Sequence, residues 1–179
     1  MTVFLLMRHG QPDYSGPNGW NTPGWGSEMA PLTEIGEQQV NQQVEKIQEF
    51  NPQVVICSPA ARALHTALVL RPYLQVQFRV EFDMHEWVPD MNFQWRSLAE
   101  VEELYSEFKY FRGEWPPGKT LPWETVTNMR QRAYNVLRNY LAYQRVLVIC
   151  HGQLMRAVTG VEIEKIELAG LMPFQIDEL

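Results

Sequence analysis

Val3-Phe4-Leu5-Leu6-Met7-Arg8-His9-Gly10 opens the chain with an apolar run that meets a cation, an imidazole and a glycine without a spacer. A run this short, with no polar residue alternating through it, reads as a strand buried on both faces. The pattern returns at residues 54–57, 78–82 and 146–150, with residues 171–176 a weaker fifth run. The three later main runs also end on chemistry. Ser58-Pro59 follows the second with Arg62 one turn on, Asp83, His85 and Glu86 follow the third, and His151-Gly152 follows the fourth.

Between the runs the apolar spacing changes to three and four. Leu32, Ile35, Val40, Val44 and Ile47 mark one face of a helix, with Thr33 as N-cap and Glu34 and Glu37 at its positive end. Ser58-Pro59 offers an N-cap and a proline at the first helical position, with Ala63, Leu64, Ala67 and Leu68 facing inward. Further helices are expected over residues 97–110, from Trp123 onward with Val126, Met129, Ala133, Leu137 and Leu141 on the apolar side, and from Gly152. Parallel neighbours need crossovers, and here the crossovers are helices. The expected fold is therefore α/β: a three-layer α/β/α sandwich with a mainly parallel central sheet, one domain over residues 1–179. The Gly- and Pro-rich residues 11–31 and 112–122 are expected as long loops.

With 45% hydrophobic and 20% charged residues, the chain can bury a core and does not have the profile of a disordered protein. Its 15 Lys and Arg against 21 Asp and Glu leave a net charge of -6, so no global field gathers nucleic acid and any anion must be held locally. Cys57 and Cys150, each closing an apolar run, read as buried reduced thiols, and the expected compartment is the cytoplasm. Residues 3–7 are too short for a signal h-region, and no apolar stretch reaches the roughly 18 residues of a membrane span, so no membrane partner is expected. Nothing in the sequence fixes an oligomeric state.

Ligands of open parallel sheets bind beyond the carboxyl ends of the strands. Arg8, Arg62, His9 and His151, with helix N-termini after Ser58 and His151, would then converge on one anion. A phosphoryl group suits them, because the planar arginine fork binds two oxygens and stays charged. Nearby cations would hold a nucleophilic histidine neutral. His9 is the choice: Gly10 lets the backbone approach, and a carbonyl there could accept from the second ring nitrogen and fix the tautomer.

Arg8-His9-Gly10 after a first strand, Ser58-Pro59-x-x-Arg62-Ala63-x-x-Thr66-Ala67 after a second and His151-Gly152 after a late one occur in an order that resembles the histidine phosphatase superfamily, the phosphoglycerate-mutase-like group. The resemblance runs from Val3 to about Gly160. It implies that His9 takes the phosphoryl group as a phosphohistidine, that Arg8, Arg62 and His151 hold its oxygens, and that water then releases phosphate. It implies no metal and no cofactor, and a small phosphorylated substrate as partner. The family's proton donor is a Glu shortly after the third strand; Glu86 is the best match, with Glu81 and Asp83 as rivals. The chain departs from the family pattern at Gln11-Pro12-Asp13-Tyr14, which leaves Gln11 as an extra phosphate contact and Asn18 as a weaker one. It departs again at Gln153, where a second Gly is common, and at Trp123-Glu124-Thr125, where relatives carry Gly-Glu-Ser.

The remaining signals have plainer readings. His65 and His85 are taken as hydrogen-bonded structure, the cysteines as small buried hydrophobes, and some of the loop tryptophans as pocket lining. Arg96 and Arg112 suggest a second anionic group on the substrate. The expected activity is metal-independent hydrolysis of phosphate monoesters through His9. Its alternatives are mutase-type phosphoryl transfer, which in this superfamily accompanies longer chains, a metal-dependent hydrolase built on His9, His85, His151 and Asp83, and a phospho-ligand binding module without turnover.

Overall fold

A computed structural model describes residues 1–15 and 24–176; Asn18 and Trp20 fall outside them. Strands β1 (Val3–Arg8), β2 (Val54–Cys57), β3 (Gln77–Val80), β4 (Arg145–Cys150) and β5 (Leu171–Phe174) form one sheet in the order β3-β2-β4-β1-β5. The first four run parallel, and β5 joins the β1 edge antiparallel. An edge position is where a strand tolerates a proline such as Pro173.

Helices α4 (Leu98–Tyr110), α5 (Val126–Arg138) and α6 (Gly152–Thr159) cover one face of the sheet, over Phe4, Leu6, Ile56 and Val148. Helices α1 (Glu34–Asn41), α2 (Val44–Phe50) and α3 (Ala61–Leu70) cover the other, over Leu5, Met7, Val55 and Ile149. Alternate residues of each central strand thus enter different cores, which is why these runs carry no polar residue. The three-layer α/β/α architecture is the one expected. Among the described residues no helix is long and apolar enough to cross a membrane.

Several local expectations are corrected. The run at 78–82 is not a buried strand: β3 is an edge strand ending at Val80, and Val80 and Phe82 are more than half exposed. The first helix is two, broken at Gln42 and Gln43, and Ile35 faces solvent. Ser58 is not a helix cap; α3 begins after Ala60, which makes no side-chain cap. The fourth helix starts at Val126, capped by Thr125 accepting from Asn128 N–H at 3.0 Å, and Leu141 lies beyond its end. Leu68 is exposed. Thr33 and Ser97 do cap their helices, accepting from Gly36 and Glu100 N–H.

Candidate active site

Strand register gathers the site. Arg8 pairs with Cys150 and Cys57 with Ile149, so His9, Ser58 and His151 leave three neighbouring strands at one sheet edge. His9 is 5% exposed, and its Nδ1 lies 2.7 Å from the Gly10 carbonyl oxygen. A carbonyl only accepts, so Nδ1 carries the proton and Nε2 keeps the lone pair. Nε2 in turn accepts from Arg62 Nε at 3.2 Å. Burial and the charges of Arg62 and Arg8 hold the His9 pKa well below the usual histidine value, outweighing the Gly10 hydrogen bond.

The loop carrying His9 lies against the start of α1. A Cβ on Gly10 would stand 2.4 Å from the Gly36 carbonyl oxygen, so this backbone approach requires glycine.

Arg62 is buried, its Nη2 2.7 Å from Glu28 Oε2 and its Nη1 without a partner among the described residues. Arg8 donates through Nη1 to the Ile166 carbonyl at 2.6 Å, while its buried Nε has no partner among the described residues. His151 is fully buried, with its ring edge-on to His9 at 5.1 Å between centroids. Its Nε2 lies 2.7 Å from Ser58 Oγ, which already accepts from Ala60 N–H. With the Ser58 hydroxyl donating to Nε2, the His151 proton rests on Nδ1, which also lacks a partner among the described residues. Burial, followed by the charge of Arg62, depresses the His151 pKa well below its usual value. Unsatisfied buried donors are costly, and Arg8 and Arg62 bring two of them to the cavity that His9 lines, where an anion could satisfy them, whereas His151 does not line it.

Glu86 completes the arrangement. Its carboxylate accepts from Trp87 N–H at 2.9 Å and, at the N-terminus of α6, from Gln153 and Leu154 N–H, each at 3.1 Å. Burial raises its pKa against these donors and the charge of Arg62. Arg8, His9, Arg62 and Glu86 share a cavity of about 500 Å³. The rival acids are elsewhere: the Glu81 carboxylate takes the Tyr140 hydroxyl, and Asp83 is exposed.

The chain matches the Histidine phosphatase superfamily (branch 1) over residues 4–178. It belongs to that superfamily. It is also 28% identical over 163 residues to a Bacillus subtilis (strain 168) protein described as the uncharacterized phosphatase PhoE, covering 88% of this chain and 76% of that one. Solved structures share the fold. A mycobacterial glucosyl-3-phosphoglycerate phosphatase superposes with a TM-score of 0.71 at 19% identity, over 96% of this chain and 89% of its own. Bacillus stearothermophilus YhfR does so with 0.72 at 17%, over 99% and 92%. The chain is a phosphoric monoester hydrolase of the superfamily.

The other singled-out residues of this histidine phosphatase have different places. Gln11 does not line the cavity; its Oε1 accepts from Thr33 Oγ1 at 2.8 Å, tying it to the start of α1. Gln153 does line it, donating from Nε2 to the Tyr105 hydroxyl at 2.7 Å. Trp87 and Trp95 are pocket walls, whereas Trp115 and Trp123 pack into the core. Arg96 is exposed beside Glu100, and Arg112 likewise stays outside the cavity. His65 accepts from Leu32 N–H and faces Glu37. His85 is enclosed by Trp25, Phe82 and Phe93, and burial with the charge of Arg132 lowers its pKa to about 4. Burial pushes both thiols up, Cys57 to about 12.

Sequence reasoning missed two parts. Glu28, in a loop without periodicity, had no signal. Glu124 did have one: it is the residue that Trp123-Glu124-Thr125 keeps from the family's Gly-Glu-Ser, and it forms a buried ion pair with Arg132.

Proposed function

We propose that the chain hydrolyses small phosphate monoesters without a metal, through a phosphohistidine on Nε2 of His9. The Nε2 lone pair attacks phosphorus, the bond from phosphorus to the ester oxygen breaks, and protonated Glu86 gives its proton to the departing alkoxide. Glu86, now a carboxylate, takes a proton from water; the water oxygen attacks phosphorus, the P–N bond breaks, and phosphate leaves with His9 regenerated. Arg8, Arg62 and His151 hold the equatorial oxygens throughout, since phosphoryl transfer asks mainly for positioning and charge stabilisation.

One observation supports this reading: Arg8 Nε and Arg62 Nη1 are buried without partners among the described residues, in the cavity that His9 lines, and the His9 tautomer keeps the lone pair on Nε2, where it accepts from Arg62 Nε. Two guanidinium groups at that imidazole also disfavour a divalent cation beside it. The free, buried Cys57 and Cys150 support a reducing compartment, the cytoplasm.

The test is release of phosphate from para-nitrophenyl phosphate and a panel of esters in excess chelator, for wild type and His9→Ala, with acid quench to trap a phosphoenzyme. Chelator-resistant release, with a histidine-bound phosphoryl group absent from His9→Ala, is expected. Release abolished by chelator alone would replace this reading with a metal hydrolase. Phosphate binding with no turnover of any ester would replace it with a binding module.

A further inference from the structure

Of the 15 Lys and Arg residues, only Arg8 and Arg62 line the cavity. Both are at the His9 end, committed to the reacting phosphate in the mechanism above. Residues 16–23 and 177–179 contain no Lys or Arg, so no further cation can come from them. Two other cations stand beside lining residues without lining the cavity themselves: Arg156 donates to Gln153 Oε1 at 3.3 Å and lies 3.5 Å from Glu162 and over the Phe108 ring, and Lys109 lies over the Tyr105 ring.

The cavity also has apolar and aromatic walls, Trp87, Trp95, Leu98, Val101, Tyr105 and Ile163. Of the lining carboxyls, Glu28 pairs with Arg62 and Glu86 is the proposed proton donor, which leaves Glu102. A second anion on the substrate would lose its water against these walls and meet Glu102 in place of a cation, whereas an aromatic or aliphatic group would bury apolar surface against flat rings.

We propose that these apolar walls take an uncharged, apolar or aromatic alcohol, so that the only anionic group on the substrate is the phosphate that reacts. The inference rests on the His9 phosphatase reading and narrows its substrate class. It excludes phosphoglycerates, sugar bisphosphates and nucleoside polyphosphates as preferred substrates.

Three alkyl esters of comparable leaving-group basicity test it: 2-phenylethyl phosphate, glycerol 3-phosphate and 3-phosphoglycerate. The last two differ mainly by a carboxylate. The kcat/KM for the phenylethyl ester should exceed that for glycerol phosphate by on the order of tenfold or more, from the apolar area buried, and 3-phosphoglycerate should be the slowest. Leu98→Arg, which places a cation on the wall, should raise 3-phosphoglycerate relative to glycerol phosphate several-fold. If wild type prefers 3-phosphoglycerate to both, or Leu98→Arg leaves the ratio unchanged, the substrate class is overturned while phosphatase chemistry stands. Titration calorimetry with the same esters separates the two readings. Tighter binding of the phenylethyl ester without turnover keeps the pocket assignment and removes the phosphatase reading, and equal or weaker binding removes the pocket assignment.

Discussion

Arg132 and Glu124 form a two-pronged buried ion pair, Nε to Oε1 at 2.7 Å and Nη2 to Oε2 at 2.9 Å. The same guanidinium donates to the main-chain carbonyls of Asp83, His85 and Glu86. It therefore clamps the segment that carries the proposed proton donor, although Arg132 itself does not line the cavity. Lysine cannot reproduce this fork of donors.

Arg132→Lys is accordingly expected to lower kcat by roughly ten- to a hundredfold with little change in KM, because the phosphate ligands are untouched and only the acid is displaced. Arg132→Met, which leaves the buried Glu124 carboxylate without its partner, should cost about 3–5 kcal/mol of stability. The double variant Arg132→Met with Glu124→Gln removes both charges and should be more stable than Arg132→Met alone while staying slow. A double variant with wild-type kcat would show that the clamp does not position Glu86.

The directions of two pKa shifts set the pH profile. His9 must be neutral to attack, and its depressed pKa satisfies this across the neutral and mildly acidic range. Glu86 must be protonated to donate, and its raised pKa extends that form upward from the usual carboxylate range. With alkyl esters, kcat should fall as pH rises through the Glu86 pKa, and Glu86→Gln should lose that limb with a drop of about 10²–10⁴. Para-nitrophenyl phosphate, whose leaving group needs no proton, should lose far less. Equal losses on both esters would move the acid role away from Glu86.

Fold and site were legible to different depths for physical reasons. The parallel strands could be read because burial on both faces removes polar residues from Val54, Val55 and Ile56 as from Leu5 and Leu6. The residues just beyond them, His9 and His151, were therefore placed by strand register alone. Ser58 was misread because a serine before a proline has two uses: local pattern suggests a helix cap, while the contact with His151 spans 93 positions and leaves no local trace. Glu28 and Arg132 act through comparably distant partners, Arg62 and the main chain after β3. Arg96 looked like a second anion ligand only because sequence gives no direction to a side chain.

Gly10→Ala tests the tautomer lock. The added methyl would lie 2.4 Å from the Gly36 carbonyl oxygen, a backbone atom of α1 that cannot swing aside. The loop must shift, and the 2.7 Å bond from His9 Nδ1 to the Gly10 carbonyl shifts with it. Activity should fall by on the order of a hundredfold, the scale of losses expected when a reacting group is misplaced by about 1 Å. Nitrogen-15 NMR should report a changed Nδ1–H to Nε2–H ratio at His9. Unchanged tautomer populations beside lost activity would assign the loss to another cause.

Stability should fall on the acid side. His9, His85 and His151 have folded pKa values below that of an unfolded histidine. Their contribution is complete above about pH 6.5 and is lost as pH drops below it, because the unfolded chain takes up the protons first. Each such histidine adds a slope of about 1.4 kcal/mol per pH unit until its folded pKa is reached. For His85, with a pKa of about 4, the loss approaches ~3 kcal/mol by pH 4. Glu86 opposes this, since its raised pKa lets the folded form bind a proton first. Urea unfolding at pH 7.5 and pH 5 should show a smaller acid loss for His85→Phe, which keeps a ring against Trp25 and Phe93 but cannot titrate. Identical losses in wild type and His85→Phe would mean that His85 is already protonated in the fold, and would contradict its burial among those rings.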